Sequence, residues 1–229
     1  MTHGMISAPQ PEAVETAIDI LSAGGNAVDA AIGCALVQTA VDPQMCGIAG
    51  FGNIHLYLPE HNVHTTFDFH GRSPLQTRPD MWEHLIEHEA LDGWGFILRG
   101  RVNEFGYGAV TTPRTLAAFA EVLVRYGTKS LAELIQPAIA HCEEGVIVRP
   151  HMSEFWNLPP TAGRDPNIGM INKHPATRKI YCHNDGQVLG VGELLRNPDM
   201  GNTLRRIAKH GVQDFYLGEI SDCIVADME

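Results

Sequence analysis

Apolar positions along the first fifty residues fall at helical spacing and then switch to alternation. Val14, Ala17, Ile18 and Leu21 form one stripe, predicting a helix over Glu12 to Ala23. Gly24 and Gly25 stop it, because glycine enters the left-handed conformation without a Cβ clash. Asn26 is a natural N-cap for a second helix, Ala27 to Val41, with Asp29 in its first turn suiting the helix dipole. That helix is small and apolar nearly all round, the mark of burial on more than one side. A glycine run, Gly47 to Gly52, leads into Asn53 to Leu58, where Ile54, Leu56 and Leu58 alternate with polar partners as in a half-buried strand. Pro59 to Asn62 turns the chain into a second strand, Val63 to Phe69, so the two read as an antiparallel hairpin.

Further along, the pattern predicts a short helix over Asp80 to Ala90 and a glycine- and aromatic-rich loop over Gly93 to Gly108. Helices follow over Thr115 to Tyr126 and Leu131 to Gly145. Prolines make Arg149 to Pro175 an irregular surface segment, and two short helices, Met200 to Lys209 and Glu219 to Ala226, follow it. The organisation is α+β and reads as a single domain over residues 1–229, with a decorated middle.

Composition narrows the function classes more than the fold. A chain of 229 residues with 44% hydrophobic and 19% charged positions is ordinary for a soluble globular protein. A net charge of -11 argues against nucleic acid or an anionic membrane as partner. No stretch is apolar and long enough to span a bilayer and no signal peptide is visible, so the expected location is cytoplasmic, or periplasmic or secreted if a leader was removed. Five cysteines at wide spacings argue for reduced, mostly buried thiols; Cys46, before the glycine run, is the one in suggestive company for a nucleophile.

Several runs resemble the gamma-glutamyltranspeptidases, a branch of the N-terminal-nucleophile hydrolases. Gly4 to Ala8, Ile20 to Ala31, Asp42-Pro43 and Gly47 to Gly52 are similar to the opening motifs of that family's large subunit. Tyr107 to Pro113, Gln136 to Ile139 with Glu144-Gly145, and Leu195 to Ala208 followed by Phe215 to Gly218 match later blocks in family order. The resemblance implies a four-layer α-β-β-α sandwich completed by a second chain, since two or three strands leave sheet edges unpaired. It implies a small subunit whose freed N-terminal threonine is the nucleophile, so no catalytic residue is expected in this chain, and neither metal nor cofactor.

In the family, the strand after the hairpin carries an arginine that pairs with the substrate's α-carboxylate. This chain reads Asp68-Phe69-His70-Gly71-Arg72-Ser73-Pro74, placing His70 at the arginine position and an arginine two residues later. A neutral imidazole cannot fork onto a carboxylate as a guanidinium does. His70 and Arg72 are therefore the substrate-binding candidates, Arg72 sharing the His70 side if the strand continues. The alternative is that both merely pair with Asp68 or a backbone carbonyl. The expected activity is amide hydrolysis or acyl transfer on a small carboxylated amide with a non-standard acyl group, with γ-glutamyl hydrolysis or transfer as the alternative. A non-catalytic scaffold relative is a further alternative. From another reaction class, His84-Leu85-Ile86-Glu87-His88 has the spacing of a helical zinc site, with His84, Glu87 and His88 as its residues. A solvated helix face with charged ends accounts for it better.

Overall fold

The computed structural model describes residues 4–229. In chain order the helices are α1 (Pro11–Ser22), α2 (Ala27–Val41), α3 (Thr115–Tyr126), α4 (Leu131–Leu134), α5 (Gln136–Glu144), α6 (Pro150–Trp156), α7 (Asn167–Lys173), α8 (Pro175–Tyr181), α9 (Pro198–His210), α10 (Gln213–Leu217) and α11 (Glu219–Met228). The strands are β1 (Asn53–Leu58), β2 (Val63–Asp68), β3 (Ile86–Glu89), β4 (Phe96–Leu98), and the two-residue β5 (Val146–Ile147) and β6 (Leu194–Leu195). The mixture of helix and strand agrees with the α+β reading. The chain divides into two compact units: residues 4–71, 113–146 and 196–229 form the first, and 72–112 with 147–195 the second.

The first unit is built on the α1–α2 pair. Gly24, at φ +85°, reverses the chain after α1 in a conformation an L side chain rarely takes. Asn26 then caps α2, its side-chain oxygen accepting from the backbone of Val28 and Asp29 while Asp29 returns a bond to the Asn26 N–H. Gly33 faces α1 across the pair, where an added Cβ would crowd the Cδ1 end of Ile20. α2 packs also on α5, and α5 on α9, around a core that includes Leu36, Leu116, Ile135, Leu204 and Ile207. Burying each such side chain is worth about 1.5–3 kcal/mol. β1 and β2 form an antiparallel hairpin from Asn53↔Asp68 to Leu58↔Val63. One hairpin face leans on α3 through Phe67 against Tyr126, while Tyr57 on the other face is 68% exposed.

The second unit holds a small hairpin, β3 with β4, and helices α6 to α8. Arg164 reaches the Asp92 carboxylate and the Trp94 carbonyl, and Arg101 donates to the Gly163 carbonyl at 2.6 Å. Trp156 packs edge-on against Tyr181.

Three segments differ from the sequence expectation. Asp80 to Ala90 is not a helix: a short 3-10 turn, Glu83–Leu85, leads into β3, which pairs with β4 across a bulge between Ile86 and His88. Apolar residues at 81, 82, 85 and 86 mimic helical spacing, but pairing with a strand ten residues on prevails, its turn made by Gly93 and Gly95 at positive φ. The predicted helix Leu131 to Gly145 is two helices broken at Ile135, because Pro137 lacks an N–H and its ring opposes continuation from the preceding turn. The proline-rich Arg149 to Pro175 contains α6 and α7; Pro150 opens α6, and Pro175 opens α8, each in the first-turn position where proline is favoured.

Candidate functional site

The glycine run brings three parts of the first unit together. The Gly50 carbonyl accepts from the backbone N–H of Arg114 at 3.0 Å and of Thr115 at 3.3 Å, pinning the start of α3. Two residues later the Gly52 carbonyl accepts from Phe69 N–H at 3.0 Å, extending the hairpin contact one step past β2. The tight run thus lies against the end of β2 and the beginning of α3. A cleft of about 350 Å³ opens there, lined by Thr39, Cys46, Phe51, Phe69, Thr115 and Phe119 among others. Its wall is mainly apolar, with the three phenylalanines among small residues and with Thr39 and Thr115.

His70 does not line this cleft itself but adjoins Phe51, which does, its ring 5.4 Å from the Phe51 ring centroid. Its Nδ1 is 2.7 Å from Asp68 Oδ1, and its backbone N–H donates to the same oxygen at 3.0 Å. Those two bonds, backbone first, hold the Asp68 carboxyl below its ordinary range, and the Arg114 charge adds to the effect. An ionised carboxylate only accepts, so Nδ1 carries the proton of that bond, and in the neutral form of the ring this leaves Nε2 as an acceptor. His70 therefore pairs with Asp68, the arrangement anticipated as the alternative to substrate contact, while its outer nitrogen stays available.

The expectation that Arg72 shares the His70 side rested on strand continuation, and β2 ends at Asp68. The period-two argument consequently has no strand to act on. Arg72 opens the second unit, is exposed, and its carbonyl accepts from Thr112 N–H at 3.0 Å.

Arg114 is the residue that sequence reasoning missed. It is half-buried at the N-cap of α3, makes no side-chain capping bond, and its charge acts on both Asp68 and the Tyr216 hydroxyl. Tyr216 Oη in turn accepts the Ala117 N–H at 3.1 Å, doing part of the capping that Arg114 cannot. A cation at the positive end of a helix dipole is unfavourable, and that misfit was the signal available in the sequence.

Cys46 lines the cleft, but burial, with the Asp42 charge, pushes its thiol up to about 11. Such a thiol is not an activated nucleophile. The zinc-type spacing fails on context: His84 lies in the 3-10 turn and His88 in β3, so they do not share a helix face. Among the described residues no group of three or more His, Cys, Asp or Glu is placed to hold a metal ion. In the second unit a separate cavity of about 580 Å³ lies between the Thr77–Glu83 segment and the β3–β4 hairpin. Phe96 from the aromatic loop lines it, whereas Phe105 lies beneath the Lys173 ammonium at 4.3 Å.

The model of the gamma-glutamyltranspeptidase family matches residues 13–229. The glutathione hydrolase proenzyme of Pseudomonas sp. (strain A14) is 31% identical over 228 residues, 99% of this chain and 36% of its own length. The acylase ACY 1 proenzyme of Pseudomonas sp. (strain V22) is 32% identical over 220 residues, 96% of this chain and 37% of its own. The crystal structure of Helicobacter pylori gamma-glutamyltranspeptidase superposes with a TM-score of 0.85 at 27% identity, covering 100% of this chain and 60% of that one. The chain spans little more than a third of the curated relatives it matches.

Proposed function

The chain belongs to the gamma-glutamyltranspeptidase family, and from that premise we propose that it is the large-subunit portion of an amide hydrolase or acyltransferase. Catalysis then resides in a second polypeptide, a small subunit whose N-terminal threonine attacks the amide carbonyl with its own α-amine as base. The relatives' names, a glutathione hydrolase proenzyme and an acylase proenzyme, support both the reaction class and maturation by cleavage. The two-stranded β1–β2 sheet supports the need for a partner: a lone hairpin with open edges is marginal, and a four-layer sandwich would complete it. No helix among the described residues is long and apolar enough to cross a membrane. Five free cysteines accord with a reducing compartment, and we assign the cytoplasm.

The observation that carries the substrate reading is the Asp68–His70 pair. Where the family motif has a guanidinium for the γ-glutamyl carboxylate, this chain has an imidazole already engaged with its neighbour. The acyl group is accordingly not a standard γ-glutamyl group but that of a small carboxylated amide. His70, and Arg72 two positions along the chain, are assigned to its recognition by motif position. A true γ-glutamyl hydrolase or transferase is the second reading, favoured by the identity with the glutathione hydrolase proenzyme.

Both readings are tested on the two-chain protein. The precursor should cleave itself to expose a threonine; an uncut precursor without that threonine refutes the enzyme. γ-Glutamyl-p-nitroanilide should be turned over slowly beside short dicarboxylic monoamides, and rapid turnover of the anilide refutes the acyl assignment.

A further inference from the structure

We propose that the cavity between the Thr77–Glu83 segment and the β3–β4 hairpin is a binding site for a small aromatic amine whose ring carries a hydroxyl or N–H donor. The inference stands on the second unit alone and is independent of the amide-hydrolase reading.

The walls of this cavity are held by named bonds. On one side Ile86 pairs with Leu98 across β3 and β4, and the Arg99 guanidinium donates to the His84 carbonyl at 3.1 Å, tying the turn before β3 to the end of β4. On the other side backbone bonds fold the segment: Thr77 N–H to the Pro74 carbonyl at 3.0 Å, Met81 N–H to Arg78 at 3.3 Å and Glu83 N–H to Asp80 at 3.1 Å. Trp82 lies over Gly108, where an added Cβ would stand 3.6 Å from the indole. The volume, about 580 Å³, is in the range of small-molecule sites.

Ring surface, a hydrogen-bond acceptor and charge in the lining specify the occupant. Trp82 and Phe96 offer ring surface, and Phe96 is half exposed while its strand neighbours Ile97 and Leu98 are buried, so a bound ring would cover it. The Asn103 side-chain N–H donates to the Phe96 carbonyl at 3.0 Å, which fixes the amide orientation. Asn103 Oδ1 is then left buried and, among the described residues, without a hydrogen-bond partner. Buried acceptors are ordinarily paired, and it takes an O–H or N–H donor to complete this one. The charged lining is one cation, Arg78, against two carboxylates, Asp80 and Glu83, and Arg78 lies 3.6 Å from Asp80. The excess carboxylate favours an ammonium and disfavours an anion, and an ammonium also gains at an aromatic face.

Tyramine joins these requirements: a phenol O–H for Asn103, a ring for Trp82 and Phe96, and an ammonium for Glu83. Phenethylamine lacks the phenol donor, and p-hydroxyphenylpropionate exchanges the ammonium for a carboxylate.

The test is isothermal titration calorimetry on the two-chain protein at neutral pH, with the variants Glu83→Gln and Asn103→Leu. Tyramine should bind the parent with a Kd on the order of 0.1 mM, as suits a fragment of its size. Phenethylamine should bind about fivefold more weakly, through loss of one hydrogen bond, and p-hydroxyphenylpropionate about tenfold more weakly. Asn103→Leu should weaken tyramine about fivefold and leave phenethylamine unchanged, a split that a general loss of packing would not produce. Glu83→Gln should narrow the gap between tyramine and p-hydroxyphenylpropionate to roughly threefold. Asn103→Leu also removes the bond to the Phe96 carbonyl, so circular dichroism checks its fold; if it unfolds, the ligand series on the parent and on Glu83→Gln decides. No tyramine binding by the parent, equal binding of the three compounds, or tyramine binding unchanged in both variants overturns the assignment. The heat of binding is read without turnover, so the result holds whether or not the protein hydrolyses amides.

Discussion

Asp29 and Thr128 lie 99 positions apart and share two hydrogen bonds, Thr128 N–H to Oδ1 at 2.8 Å and Thr128 Oγ1–H to Oδ2 at 2.6 Å. Lys129 N–H adds a third at 3.0 Å, and Asn26 N–H a fourth at 2.8 Å. One fully buried carboxylate thereby caps α2 and holds the turn between α3 and α4 against it. Replacing it by an amide puts an N–H₂ against backbone donors, so Asp29→Asn should lose about 3 kcal/mol in urea unfolding at pH 7.

The same carboxylate makes stability depend on pH. Burial pushes its pKa up, but the bonds from Thr128, Asn26 and Lys129 more than offset this, leaving it below the ordinary 3.8. A group depressed in the folded state stabilises above its unfolded pKa and loses that contribution as pH falls through the folded value. The gap between parent and Asp29→Asn should therefore be full near pH 7 and narrow progressively in the acid limb below the ordinary value. A gap independent of pH refutes this role.

Two glycines meet the same isoleucine with opposite consequences. At Gly33 an added Cβ would crowd only Ile20 Cδ1, the far end of a side chain that can rotate. At Gly25 it would meet Ile20 Cγ2 at 2.7 Å and the Ile20 carbonyl oxygen at 2.9 Å, and the backbone cannot turn aside. Gly33→Ala should stay within about 1 kcal/mol of the parent, helix propensity offsetting the crowding. Gly25→Ala should cost about 2 kcal/mol or more, read as a lower thermal midpoint. Equal effects would show that the helix pair can shift as a body.

How much of this was legible in the sequence depends on how local the cause is. The α1–α2 pair and the β1–β2 hairpin follow from stripes, caps and alternation within a few residues, and both formed as the pattern predicted. β3 was not legible, because Ile86 to Glu89 is a strand only through its partner, and its own spacing favours a helix. Pro137 was a readable break that apolar spacing on both sides obscured. His70 drew notice because it departs from a motif. Arg114 did not, since Gly50, whose carbonyl takes its N–H, is 64 positions away and is brought to it by the fold rather than by sequence proximity.

The cysteines should react in an order set by burial. Cys46 and Cys142 are each pushed up to about 11, both by burial first. At pH 8 roughly a thousandth of either is thiolate, which suppresses alkylation. Cys223, exposed on α11, should label first with iodoacetamide in native buffer, and all five should label in denaturant. Mass spectrometry of timed samples reads the order. Rapid native labelling of Cys46 would restore it as a candidate nucleophile.

The Asp68–His70 pair makes a prediction about a proton. Because Asp68 Oδ1 accepts from both the backbone N–H and Nδ1 of His70, the neutral ring is held as the Nδ1–H tautomer with the Nε2 lone pair outward. Nitrogen-15 chemical shifts of a histidine-labelled sample, recorded where the ring is neutral, should report a protonated Nδ1 and an unprotonated Nε2. Asp68→Asn should abolish that bias, since an amide side chain can turn its donor toward Nδ1 and admit the other tautomer. His70→Asn should leave the fold intact, because the histidine is exposed and, among the described residues, its ring neighbour is Phe51. If the Nε2–H tautomer predominates in the parent, His70 could donate to a carboxylate after all, and the case for a non-glutamyl acyl group would lose its physical basis.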